Sequence, residues 1–303
     1  MADFILSGFA DEADSSLDLQ IEVLRRGELS YVEMRGVDGS SLIDSSDEKV
    51  AEIKEKLNAN QIHLSSVGSY IGKIKITDEF APHLDKFKRA IEIAQKLQSP
   101  NIRIFSFFLP TDQDPSIFRD EVMERMTAIL DAANGSGVNV CHENEKDIYG
   151  DIPLRVLDLH QTLGPRLKGI FDPANYIQCN VKNISEAMKV LLQYIEYLHV
   201  KDSRLSDHHV VPAGFGDGQI QSVFEMFSML KGQKFLSVEP HLAKFIGYEG
   251  LGDDTSIKNG YEFVYETTQD SFLAAVSATK NVLSDIGYHS NKNIESGIQI
   301  WTK

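Results

Sequence analysis

The chain has 303 residues, 42% hydrophobic and 25% charged, a composition that buries a large core and excludes disorder as the main state. Thirty Lys and Arg face 45 Asp and Glu, a net charge of −15, and no basic cluster interrupts it, which argues against nucleic acid or anionic lipid as a partner. No apolar run approaches the roughly 18 residues a membrane span needs. The N-terminus carries an acid where a signal peptide wants basic charge, and the only cysteines are Cys141 and Cys179, so a soluble protein of a reducing cytoplasm is expected.

In chain order, β-rich runs are predicted at 3–8, 30–35, 61–67, 101–108, 138–143, 167–172, 194–201 and 235–239. Helical periodicity is predicted between and after them at 14–27, 47–60, 78–98, 114–136, 151–163, 185–192, 219–231 and 268–286. The third helix shows the pattern best: Phe80, Leu84, Phe87, Ile91, Ala94 and Leu97 recur at steps of three and four, giving one apolar stripe. Asp47 with Glu48 and Asp114-Pro115 read as helix starts, and Gly27 and Gly137 as ends. Eight strand–helix alternations without a linker or low-complexity tract predict an α/β fold, a (β/α)8 TIM barrel in a single domain at 1–287. A doubly wound sheet would want a glycine-rich phosphate loop after the first strand, where the sequence has Gly8-Phe9-Ala10-Asp11-Glu12. The segment 243–260 reads as an extended loop, and 288–303 as a C-terminal extension not needed for the barrel.

Barrel sites are built at the C-terminal ends of the strands, and the last four strands end alike. Glu143, Asp172, His199 and Glu239 each close a β-forming run. Three carboxylates and one imidazole projecting into one mouth repel unless a cation sits among them. Oxygen-rich ligation with one His and no thiolate predicts one divalent ion, Mn²⁺ first, with Mg²⁺, Co²⁺, Fe²⁺ or Zn²⁺ as alternatives. Each residue also has a plainer reading: a solvated carboxylate for Glu143 or Glu239, a turn cap for Asp172, a structural histidine for His199.

These strand ends, the His199-Val200-Lys201-Asp202 run and Gly214-Phe215-Gly216-Asp217-Gly218 resemble the xylose isomerase-like barrel superfamily, which includes sugar isomerases and epimerases, inosose dehydratases and endonuclease IV. The resemblance spans roughly residues 3 to 287, and no single motif in it is specific. It implies that Glu143, Asp172, His199 and Glu239 bind the metal. Endonuclease IV proteins hold three zinc ions with further histidines, one of them three residues after the strand-six aspartate. That position is Asn175 here, so the trinuclear cluster lacks its ligands. Ketose epimerases often use a histidine there to hold substrate, which makes Asn175 a substrate-facing position.

Other residues have two readings. Glu33 and Arg35 share a face by period two and either reach substrate or form an ion pair. Lys201 and Asp202 either touch substrate or support the ligands. His241 lies two residues beyond Glu239, at the mouth or outside it. Phe9 and Phe107 are read as an apolar wall against the carbon face of a sugar, with ordinary core as the alternative.

The expected function is a metal-dependent sugar or polyol isomerase/epimerase. The metal would polarise a carbonyl and stabilise an enediolate while Glu143 and Glu239 transfer the proton as catalytic residues. An inosose-type dehydratase of the same superfamily is the alternative; an endonuclease IV-like nuclease and a non-catalytic carbohydrate-binding barrel rank below it. The expected partner is a small-molecule sugar, sugar phosphate or polyol, with no nucleic acid and no membrane; loops at the mouth leave a homo-oligomer open.

Overall fold

The protein was described from a computed structural model covering residues 1–245, 262–293 and 297–303. Eight strands form one parallel sheet: β1 (Ala2–Gly8), β2 (Tyr31–Met34), β3 (His63–Ile71), β4 (Asn101–Ile104), β5 (Asn139–Glu143), β6 (Leu167–Phe171), β7 (Ile195–Val200) and β8 (Gly232–Val238). They run in the order β2-β3-β4-β5-β6-β7-β8-β1. β1 and β2, at the two ends of that order, are neighbours in space, so the sheet rolls into a barrel. Among the described residues no ladder joins them, and the closure is a seam. The eight predicted strands are all present, and the chain is a single-domain α/β barrel.

Around the sheet lie α1 (Leu17–Arg26), α2 (Asp47–Ala59), α3 (Ala81–Lys96), α4 (Arg119–Ala132), α5 (Pro153–Leu163), α6 (Pro173–Gln178), α7 (Ile184–Leu191), α8 (Ile220–Phe227) and α9 (Thr268–Asp285). Of the predicted stripe, Phe87, Ile91, Ala94 and Leu97 are buried and Phe80 and Leu84 half-buried, and α3 buries Ala90 and Ile93 beside them. α2 starts where expected, but its cap is Ser46, whose Oγ accepts from the Lys49 N–H at 3.2 Å. Asp47 and Glu48 occupy the first turn, where the helix dipole favours acids. The predicted helix at 114–136 opens as a 3₁₀ turn, Pro115–Phe118, with Asp114 accepting from Ser116 N–H, before α4 begins.

Boundaries move where backbone contacts override propensity. β3 continues four residues beyond 67, and β4 stops at Ile104 because the Phe105 and Phe107 amides turn to Ile71 O and Gly72 O. Gly72 has φ +92°, and a Cβ there would lie 2.0 Å from Phe105 O. Only glycine lets the two strand ends approach in this way. Elements that were not predicted include α6, a hairpin of β9 (His289–Lys292) and β10 (Gln299–Thr302), and two short hairpins that pair 36–37 with 40–41 and 202–203 with 210–211. β10 pairs antiparallel with β1, Trp301 opposite Phe4, on the edge that faces the seam, and the Tyr288 hydroxyl donates to Ala2 O at 2.8 Å. The 288–303 extension thus covers a strand edge that would otherwise stand open. The expected loop at 243–260 falls mostly outside the described residues.

Period-two alternation sorts the strands into two environments. Outward residues such as Leu6, Met34, Ile102, Val140, Phe171, Leu198 and Val238 join the helices in the main core. Inward, Cys141, Ile170 and Tyr197 with Phe235 make a small apolar floor. Polar side chains share this interior: Ser7 Oγ lies 2.6 Å from Ser65 Oγ, and Asn101 Nδ2 donates to Ser65 O at 2.9 Å. Barrels of this kind usually fill that space with branched apolar residues. Here it is the base of a charged site.

Candidate functional site

Four consecutive strands deliver the central residues. Glu143 ends β5, and ladder register places Ile170 beside it, so Asp172 stands two residues higher on the neighbouring strand. Ile170 pairs with Tyr197, which puts His199 level with Asp172, and His199 pairs with Ser237, which lifts Glu239 by two. One ligand atom from each of Glu143, Asp172, His199 and Glu239 lies within 4.8 Å of the others, and all four side chains are buried.

Asp172 has two roles. Its Oδ1 caps α6, accepting from the Asn175 N–H at 2.9 Å, with Pro173 as the first helical residue. Its Oδ2 faces the site 3.0 Å from Lys201 Nζ, in no hydrogen bond. Asn144 clamps the Asp172 backbone by accepting from its N–H and donating to its carbonyl, both at 2.9 Å. Asn175 Nδ2 donates to Glu143 Oε1 at 3.2 Å and Asn144 O at 2.9 Å. The turn-cap reading and the inward-facing reading of Asp172 therefore apply to different oxygens of one carboxylate.

Two of the cations come from the first four strands and one, Lys201, from the end of β7 itself. Arg103, on β4, donates from Nη1 to Glu143 Oε2 at 3.1 Å and Glu239 Oε1 at 3.4 Å. Arg35, just beyond β2, forks onto Asp11 at 2.8 and 3.2 Å and reaches Glu12 and Glu239, each at 3.3 Å. Lys201 Nζ donates to Glu239 Oε2 at 2.8 Å. Phe9 lies against both guanidinium groups, 4.7 Å from Arg35 and 4.9 Å from Arg103, and sets its edge against the His199 ring at 5.2 Å.

Protonation follows from burial and these neighbours. Burial raises the Asp172 carboxyl to about 7, with Lys201 only partly opposing and Glu143 and Glu239 adding to the rise. Burial carries Glu12 to about 8 against the pull of Arg35. For Glu143 the burial penalty is outweighed by His199 and Arg103, which hold it down at about 2. Glu239 is likewise held well below the ordinary carboxylate range, burial being overcome by Lys201, His241, His199 and Arg103. Burial opposes the charge on His199, but Glu143 and Glu33 raise its imidazole well above the usual value.

The donor set fits a divalent cation. Six buried carboxyl groups, Asp11, Glu12, Glu33, Glu143, Asp172 and Glu239, face three permanent cations, Arg35, Arg103 and Lys201. The metal-free arrangement covers the deficit with protons, on the raised Asp172 and Glu12 and on His199. A divalent ion would replace them, with Glu143, Asp172, His199 and Glu239 as the residues to hold it. Asp172 Oδ2, buried and facing the cluster with Lys201 Nζ at 3.0 Å, is an oxygen that such an ion would take over from the lysine.

The remaining candidates are distributed as follows. Asn175, Lys201 and Phe9 contact the four-residue cluster directly. His241 Nε2 lies 3.3 Å from Glu12 and 3.7 Å from Glu239, at the rim. Glu33 lies beneath His199, fully buried. Asp202 accepts from the amides of Gly214, Gly216 and Gly218 at 2.8 to 3.0 Å and so organises the loop that follows β7. Phe107 meets Phe80 edge-on at 5.9 Å and lies under Arg125 of α4, in the helical layer rather than the cluster. Sequence reasoning missed Arg103, Asp11, Glu12, Asn144 and Tyr197. For Arg103 and Tyr197 a signal existed: each occupies an inward position by period two, Arg103 between Ile102 and Ile104, Tyr197 two residues before His199.

The family of this architecture is described as Xylose isomerase-like TIM barrel; its sequence profile matches residues 22–267, and the chain belongs to it. Among solved structures, the IOLI protein with a bound zinc atom superposes with a TM-score of 0.71 at 14% identity, covering 93% of this chain and 98% of that one. A probable 3-DHS dehydratase, AsbF of petrobactin synthesis from Bacillus anthracis, gives 0.68 at 14% identity, with 93% and 99% covered. D-Psicose 3-epimerase with D-tagatose from Clostridium cellulolyticum H10 gives 0.68 at 15% identity, with 92% and 98% covered. At these identities the likeness is one of fold. A search of curated protein sequences finds no match. Among the described residues no helix is long and apolar enough to cross a membrane.

Proposed function

We propose that this protein is a cytoplasmic, divalent-metal-dependent isomerase or epimerase of a sugar, sugar phosphate or polyol, with Mn²⁺ the first metal to test. The observation that carries the reading is the placement of two ionised glutamates, Glu143 and Glu239, at the ends of β5 and β8, the outer two of the four strands that build one buried ligand cluster, both tied to the same Arg103 nitrogen. Glu143, Asp172, His199 and Glu239 would hold the ion, which would supply Lewis acidity toward a carbonyl and its neighbouring hydroxyl.

The chain's own residues account for the rest. Glu143 and Glu239 are held unprotonated at neutral pH, so each can accept a proton from the carbon beside the carbonyl, one from each face of the substrate. Lys201 and Arg103 hold the two carboxylates in place through charge-assisted hydrogen bonds. Transfer from one glutamate and return from the other inverts a carbon, which is epimerisation. Removal and return by one residue between adjacent carbons is isomerisation. Asn175 and Phe9 supply a donor and an apolar face beside the cluster.

Conversion of candidate ketoses, their phosphates and inososes with added Mn²⁺ in heavy water tests the reading. Solvent deuterium is expected at the carbon next to the carbonyl, and product lacking it would overturn the two-base assignment. A dehydratase is the second reading, favoured by Lys201, whose ammonium 2.8 Å from Glu239 Oε2 can donate to a departing hydroxyl. An unsaturated or deoxy product would select it. No nicking of abasic-site DNA is expected, since Asn175 replaces a zinc-cluster histidine and the chain is strongly acidic.

A further inference from the structure

Glu33 is among the most deeply buried carboxylates of the site, yet it is not one of the four clustered ligands. It ends the inward face of β2 and meets β7 across the barrel interior. Its Oε2 lies 3.2 Å from His199 Nε2, and its Oε1 accepts from the Tyr197 hydroxyl at 2.9 Å. That hydroxyl is itself 3.1 Å from Ser66 Oγ. Both oxygens of Glu33 are thus engaged below the imidazole, and neither is open to a substrate.

We propose that Glu33, fixed by Tyr197, is a positioning residue that selects Nδ1 of His199 as the metal-binding nitrogen; the inference rests on the metal site of the preceding section. Both ring nitrogens face carboxylates, but Glu143 on the Nδ1 side belongs to the ligand cluster and would turn to a bound ion, whereas Glu33 on the Nε2 side lies outside the cluster and stays free to accept from Nε2–H. The lone pair of the neutral ring then belongs to Nδ1. That nitrogen points at the other three ligand residues, 2.9 Å from Glu143 Oε1, 3.7 Å from Glu239 Oε2 and 4.0 Å from Asp172 Oδ2. The edge of Phe9, nearly perpendicular to the imidazole at 86°, restrains rotation of the ring, which would exchange the two nitrogens. Metal-bound histidines commonly donate their other N–H to a carboxylate, which fixes the tautomer and raises ligand basicity. Here the supporting carboxylate comes from β2, three strands away around the closed order, rather than from a neighbour of β7.

Tyr197 acts one step further out, and its effect passes through Glu33. The ranking is therefore fixed: loss of the Glu33 charge weakens metal binding most, loss of the Tyr197 hydroxyl less, and the two together no more than Glu33 alone.

The test measures Mn²⁺ binding to the full chain by the electron paramagnetic resonance signal of free Mn²⁺, with no substrate present. Glu33→Gln is expected to bind about 10- to 100-fold more weakly than the native protein, the usual cost of removing such a partner. Tyr197→Phe is expected to lose affinity by a smaller factor, and Glu33→Gln with Tyr197→Phe to match Glu33→Gln. With Co²⁺, the visible absorption of Glu33→Gln should differ from that of the native protein, a change that general destabilisation does not produce. Native-like affinity in Glu33→Gln overturns the inference while leaving the metal site standing. Failure of the native protein itself to bind Mn²⁺ or Co²⁺ overturns the metal site and this inference with it. If Glu33→Gln does not fold, Tyr197→Phe decides: weakened binding supports the relay, and unchanged binding refutes it.

Discussion

The two halves of the barrel mouth carry opposite parts of one electrostatic design. Strands β5 to β8 present Glu143, Asp172, His199 and Glu239, whose ligand atoms converge within 4.8 Å. Strands β1 to β4 and their turns present Arg35 and Arg103, with Asp11, Glu12 and Glu33 around them. The half with ligand chemistry would be unstable alone, since buried carboxylates at this spacing repel or take up protons. The half with long cations reaches over and fixes their positions, Arg103 touching Glu143 and Glu239 with one nitrogen. The ligand set comes from the second half and two of its three counter-cations, Arg35 and Arg103, from the first, Lys201 being the exception, so removing a ligand and removing one of those arginines should fail differently.

The largest effect expected is on metal content. His199→Ala combined with Asp172→Ala removes two of four ligands from the second half, and metal analysis after purification in Mn²⁺ should fall from about one ion per chain to none. Full occupancy in that variant would place the ion elsewhere. Next in size, Glu143→Gln and Glu239→Gln should each lower turnover of a true substrate by about 10² to 10⁴, measured at saturating Mn²⁺ because Gln keeps only a weaker oxygen ligand. If the two glutamates serve opposite faces, the variants should differ in which epimer still exchanges its α-proton.

A substitution in the first half should act on stability before chemistry. Arg103→Met leaves Glu143 and Glu239 short of a buried cation, and breaking such a network costs about 3–5 kcal/mol. Chemical denaturation of the metal-free protein should show that loss, and added Mn²⁺ should recover part of it by supplying positive charge. An equal loss with and without metal would mean that the two halves are not coupled electrostatically.

The smallest effect is the response of the metal-free protein to pH. Asp172 is raised from 3.8 to about 7 and Glu12 from 4.5 to about 8. Between the unfolded and folded values the folded chain holds protons that the unfolded chain has released. Stability is therefore greatest toward the acid end of that window and falls as pH rises toward 8, by about 1.4 kcal/mol per pH unit for each fully coupled proton. Glu143, lowered to about 2, works in the other sense only below its ordinary value of 4.5. Metal binding must displace the same protons, so Mn²⁺ affinity should rise over the range in which the metal-free melting temperature falls. Parallel curves would contradict the charge accounting of the site.

Much of this was legible in the sequence because it depends on short-range rules. Short β-rich runs marked the eight strands, and the side chains that close the last four runs marked Glu143, Asp172, His199 and Glu239. The α3 stripe was read from steps of three and four, and the absence of a phosphate loop followed from five residues after β1. The six-residue α6 was hidden because its cap, Asp172, was read as the end of a strand, and the β9–β10 hairpin because polar residues such as His289 and Asn291 carry little strand propensity. Phe107 reads as a mouth residue by its position near the end of β4, but its φ of +66° turns it into the helical layer.

What the sequence by itself determined was which residue types stand at which strand ends, since side-chain direction along a strand is set locally. Only the tertiary structure decided their partners. Arg103 to Glu239 spans 136 residues and Glu33 to His199 spans 166, and no local pattern encodes a contact made across a closed barrel. Closure also exchanged solvent for protein around six carboxylates. Loss of solvent raises Asp172 to about 7, while the His199 and Arg103 charges that closure brings in outweigh the same loss at Glu143 and hold it at about 2, although both are ordinary acids in the unfolded chain.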